Sequence, residues 1–203
     1  MLRCHVAAAV LGATALIAPP DASAHLVSTR FGELYSGLTH PLTALQHLLP
    51  WLGLGLLAGL LVAGTARWAI VVFPLAVGAG ALLKGIAPAT PSMTPAVLVS
   101  LILVGLCVAL APKLRASTFL TIVAAVGFAH GIANGTAELS GGPLLLYVAG
   151  VTLSAYAVLT LSGAVANVVA RQPGWGTIAV RATGSWIAAV GLVFAGYTLL
   201  IAA

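Results

Sequence analysis

Two short stretches hold most of the side chains able to grip a cation. HPLTALQH, residues 40–47, supplies His40, Gln46 and His47, and FAHGIANGTAE, residues 128–138, supplies His130, Asn134 and Glu138. Imidazole nitrogen with carboxylate and amide oxygen suits a borderline divalent transition metal such as nickel, cobalt or zinc, rather than calcium or copper(I). The signal stands out because the 203 residues contain only five histidines and three acids. His40 and His47 are seven apart, on one helical face but separated by ~10.5 Å of rise, so a regular helix would not let both hold one ion. Pro41 predicts a way round this: proline suits the first helical position, which makes His40 the non-helical cap, free to fold back. His130, Asn134 and Glu138 recur every four residues and are predicted to share one stripe.

The elements that must carry these groups are membrane helices. The chain is 61% hydrophobic and 5% charged, where a soluble domain has roughly 25% charged residues. Uninterrupted apolar stretches are each long enough for the ~20 residues of a spanning helix, and the alternation of a strand barrel is absent. The fold class expected is therefore an all-α membrane protein with a bundle of six transmembrane helices, at about 41–64, 67–87, 95–112, 117–137, 143–167 and 177–202. Residues 1–24 have a different character: Arg3, a short apolar run, then PPDASA with small residues at Ala22 and Ala24, the pattern of a cleaved signal peptide. That divides the chain into a signal, 1–24, and a six-helix domain, 25–203, whose mature N-terminus is His25, an amine and an imidazole on what is read as a flexible leader.

Charge placement gives the same topology by a second route. The loops after the first, third and fifth spans carry Arg67, Lys113, Arg115, Arg171 and Arg181, against Arg30 and Lys84 on the other side. By the positive-inside rule the former are cytoplasmic, the chain is a multi-pass protein of the bacterial inner membrane, and its mature N-terminus is periplasmic. Glu33, Glu138, His25, His40 and His47 then line an outer vestibule. The formal charge of +5 consists of loop anchors, so no nucleic-acid partner is expected. Cys4 leaves with the signal and Cys107 stands alone in an apolar run, which excludes a disulfide framework and a cysteine-based zinc site. Gly127, Gly131 and Gly135, like Gly55 and Gly59, follow the small-xxx-small spacing of close helix packing.

The two motifs, their order, the preceding signal and the number of spans resemble the HupE/UreJ family of hydrogenase and urease accessory membrane proteins, regarded as nickel permeases. The family's first motif, H-P-x-x-G-x-D-H, is matched at His40, Pro41 and His47, with Ala44 for the glycine and Gln46 for the aspartate. Its second, F-H-G-x-A-H-G with a nearby glutamate, is matched at His130, Gly131, Ala133 and Gly135, with Asn134 for the second histidine and Glu138 one place later. The resemblance implies a permease carrying nickel, with cobalt next, from periplasm to cytoplasm, with His40, His47, His130 and Glu138 capturing the ion and Gln46 and Asn134 completing or orienting its shell. The substitutions remove a negative charge and a nitrogen donor and imply weakened metal affinity, which leaves open a non-transporting accessory role in metalloenzyme maturation.

Blander roles compete for the same residues. His40 can cap a helix, Glu138 can be a solvated loop acid, and Gln46 and Asn134 can be interhelical hydrogen-bonders. Lys84 is expected to snorkel, and Trp51, Trp68, Trp175 and Trp186 to anchor span ends at the interface. No enzyme is expected: Ser140 and Ser162 invite comparison with an intramembrane serine protease, but no histidine follows His130 and no G-x-S-G elbow is present. Nor is any permanently bound cofactor expected, only a transported metal ion, the bilayer and, for the accessory role, maturation proteins as partners.

Overall fold

A computed structural model describes residues 32–61 and 63–202, all of whose regular elements are helices. The expected signal peptide, His25 and Arg30 lie outside the described residues. The helices are α1 (Gly32–Thr43), α2 (Leu45–Gly59), α3 (Ala63–Ile86), α4 (Thr94–Leu110), α5 (Ala116–Asn134), α6 (Gly141–Ala170) and α7 (Gly176–Ala202). Large apolar side chains such as Leu75, Leu161, Val193 and Leu200 stand exposed on the helices, while Trp51, Phe73, Val77, Phe119 and Val151 fill the centre. Carbon on the outside as well as the inside is what a bilayer-embedded bundle presents, and the chain is an all-α membrane protein.

Four helices, α3, α5, α6 and α7, are long and apolar enough to cross a bilayer. The first expected span is not one rod. α1 and α2 qualify together but bend by 80° where they meet, with Ala44 in extended conformation between them. Pro41 and Pro50, inside α1 and α2, flank the break and each remove a backbone donor. The helix thus begins at Gly32, not at Pro41, and His40 is a helical residue of α1 rather than the cap expected of it. The third expected span, α4, has 17 residues, about 25 Å of rise against a hydrocarbon core of about 30 Å.

Packing follows the glycines. α2 is central: it lies along α6 and α4, and touches α7 and α3 more lightly, while α5 packs along α3. Gly131 faces the backbone of Val77 and Gly80, and Gly135 faces Ala81 and the Lys84 stem, so α3 and α5 approach with no side chain between them. Gly55 and Gly59 do the same for α2 against Leu159, Ser162 and Gly163 of α6. α1 is pinned across α6 where Gly37 meets the Tyr147 backbone and Gly150 meets Leu34, with Ser154 donating to the Leu38 carbonyl.

Candidate metal centre

Close approach of α5 to α3 and the central position of α2 bring His130 and His47 together inside the bundle. His130 is completely buried and His47 is 3% exposed. Their Nδ1 atoms lie 3.0 Å apart, with the rings edge to face at 79° and centroids 5.1 Å apart. Trp51, one turn below His47 on α2, donates its Nε1–H to the same His130 Nδ1 at 3.1 Å. On the far side, His130 Nε2 is 2.8 Å from Ser100 Oγ of α4, and Ser100 in turn donates to the Val97 carbonyl at 2.7 Å.

One arrangement of protons satisfies these contacts together. An indole N–H can only donate, so His130 Nδ1 accepts. The single hydroxyl proton of Ser100 goes to Val97, so Ser100 Oγ accepts and His130 carries its proton on Nε2. Both constraints give the same tautomer. In that arrangement His47 donates from Nδ1 and shares the one His130 lone pair with Trp51, and its own Nε2 is a lone pair with no hydrogen-bond partner among the described residues. His47 also lines a cavity of about 390 Å³ together with Gln46, Lys84, Thr90, Ser92 and Thr94. His47 thus stands between that cavity and the buried ring of His130.

Asn134 lies one turn beyond His130 on α5. Its Nδ2 donates one turn back to the His130 carbonyl at 2.8 Å, and its own carbonyl accepts from Tyr147 Oη of α6 at 2.9 Å. Asn134 Oδ1 is buried with no partner. α5 ends at Asn134, with Gly135 extended beyond it, so the expected stripe stops there and Glu138 lies exposed in the connection to α6. His40 is exposed on α1, and Gln46 is exposed at the cavity wall. Of the six expected site residues, the structure places His47 and His130 in contact and Asn134 directly behind them. Among the described residues no three His, Cys, Asp or Glu side chains gather as a metal-binding group.

Three partners were not anticipated from sequence. Trp51 is no interfacial anchor: it is fully buried, stacked edge-on to Phe73, unlike the exposed Trp68, Trp175 and Trp186. Its i+4 spacing from His47 was the available signal. Ser100 is a lone hydroxyl in an apolar run, and Tyr147 a lone phenol in another; nothing local pairs either with α5. Lys84 also lines the cavity, and its Nζ donates to the Pro88 carbonyl just beyond the end of α3, as a snorkelling lysine does.

The family profile described as HupE / UreJ protein matches residues 13–194. No curated protein and no solved structure matches the chain.

Proposed function

Since this chain belongs to the HupE/UreJ family, we propose that it is an inner-membrane permease for a divalent transition metal, nickel first and cobalt next, moving it from periplasm to cytoplasm. The observation that carries the reading is the buried contact of two imidazoles at the wall of a polar cavity. Two nitrogens 3.0 Å apart match adjacent corners of a coordination sphere with metal–nitrogen bonds of ~2.1 Å, at an angle near ~90°. Ionisable groups at such depth are costly and mark ion pathways.

In this reading His47 works as a relay. Its Nε2 lone pair meets the ion in the cavity; the metal–Nε2 bond then breaks as Nε2 takes the proton from Nδ1, and the freed Nδ1 lone pair, with that of His130 once Trp51 yields, takes the ion. Ser100 holds the His130 proton on Nε2 and so keeps Nδ1 available. His40 and Glu138 serve the approach, Gln46 completes the shell at the cavity wall, and Asn134 steadies the α5 end. Six crossings follow if α1 with α2 counts as one and the short α4 as another. The outer end is then the one bearing His47, and Arg67, Lys113 and Arg171 lie together at the cytoplasmic end, where they line adjoining cavities. No nucleotide-binding motif is present in the sequence; the membrane potential contributes ~2.3 kcal/mol per charge per 100 mV to cation entry.

The test is uptake of nickel, cobalt, zinc and copper into proteoliposomes, with the double variant His47→Ala, His130→Ala as control. Metal-selective uptake lost in the variant is the expected result. The convergence of only two imidazoles favours a second reading, an accessory protein that handles metal without net flux. Folded protein that takes up no metal yet retains a maturation partner on purification would establish it.

A further inference from the structure

The cavity beside His47 is built for something larger and more negative than a bare ion. Its volume of about 390 Å³ far exceeds that of a single dehydrated cation, and among the described residues its lining has no carboxylate. It has instead an ammonium, an amide and hydroxyls, from Lys84, Gln46, Thr90, Ser92 and Thr94. The Lys84 stem is seated against Gly135 of α5, and Nζ donates to the Pro88 carbonyl at 3.1 Å. That uses one of three ammonium donors and leaves two free on a residue that lines the cavity. The Thr90 hydroxyl is buried there with no partner. A fixed positive charge repels a dication arriving alone, but attracts one whose charge is already exceeded by carboxylates.

We propose that this cavity receives the metal as an anionic complex with a small polycarboxylate chelator and strips it there. The step is a ligand exchange: one metal–oxygen bond to the chelator breaks as a metal–nitrogen bond to His47 Nε2 forms, and each remaining metal–oxygen bond to the chelator is replaced by one to water. The freed carboxylate is held by Lys84 and the hydroxyls of Thr90, Ser92 and Thr94. The chelator then leaves to the side it came from, and the ion alone goes inward. The inference rests on the permease reading and names the form in which its substrate arrives.

The experiment uses proteoliposomes of the full protein with radiolabelled nickel and, under a separate label, citrate, with free nickel held constant by buffering while the nickel–citrate complex is raised. In the wild type nickel uptake is expected to rise at least fivefold with the complex, and citrate to stay outside. Lys84→Gln should abolish that rise, Lys84→Arg should restore it, and the free-ion arm should increase in Lys84→Gln because a cation on the route has gone. Uptake that follows free nickel alone in the wild type, or a rise that survives in Lys84→Gln, overturns the proposal and leaves the permease standing. If no nickel enters in any arm, the permease reading falls. Retention of labelled citrate on nickel-loaded purified protein then decides: retention that drops at least tenfold in Lys84→Gln supports the cavity's role, and no retention in the wild type overturns it.

Discussion

The same three helices, α2, α4 and α5, meet in two ways along their length. At one end His47, Trp51, Ser100 and His130 join them by hydrogen bonds of 2.8 to 3.1 Å. Further along, past Ser100, Leu54, Leu57, Leu103, Cys107, Ile122 and Val126 leave a carbon-lined cavity of about 360 Å³. In a bilayer there is no hydrophobic gain in bringing helices together, so they close only where small residues or hydrogen bonds draw them in. The polar end is fastened and the apolar end gapes. In the permease reading this is a site followed by a stretch offering almost no ligand, so an inward step would require these helices to move or water to enter. Ser100 belongs to both regions: it holds His130 and also lines the apolar cavity.

The sharpest way to break the comparison is His130→Ala. It removes half of the imidazole pair and leaves the indole N–H of Trp51 and the Nδ1–H of His47 short of a partner, at about 1–3 kcal/mol for each group left unsatisfied. Metal uptake in vesicles should disappear at matched membrane levels, with a lower thermal midpoint in detergent. Ser100→Ala is the next in size. Losing the group that sets the His130 tautomer should weaken nickel binding by about 10–100-fold in titration calorimetry, whereas unchanged affinity would deny the hydroxyl any orienting role.

Ala129→Leu addresses the other region, since Ala129 lines the apolar cavity one residue before His130. Filling the gap should stabilise the fold by about 0.5–2 kcal/mol and slow uptake. Stabilisation with uptake unchanged would place the ion's path elsewhere. The smallest effects are expected at His40→Ala and Glu138→Gln. Both side chains are exposed, so stability should change by less than about 0.5 kcal/mol. A large loss of uptake in either, scored against the His130 variant, would draw that residue into the metal centre.

How much could be read in advance differs between neighbouring residues. His47 and His130 stood out because imidazoles are rare in so apolar a chain, and the Gly127, Gly131, Gly135 series was legible because helical period alone puts it on one stripe. The stripe could not be followed to Glu138, since Gly135 turns the chain out of the helix. Pro41 misled for a physical reason: proline is favoured at the first helical position but tolerated, at the cost of a kink, inside a helix. Here α6 packs across α1 at Gly37 and holds the helix that contains it.

Sequence alone determined what composition and local period control: membrane residence, helices, the family, and the two stretches in which imidazoles stand among apolar residues. These depend on transfer free energy and on neighbours a few residues apart. Tertiary structure alone decided which of the candidate groups meet. The approach of α5 to α3 and the central seat of α2 set His47 Nδ1 against His130, set Trp51 and Ser100 on the two nitrogens of His130, and put Lys84 in the wall of the same cavity. His47 and His130 are 83 residues apart in the chain, and no helical period spans that distance; only packing does.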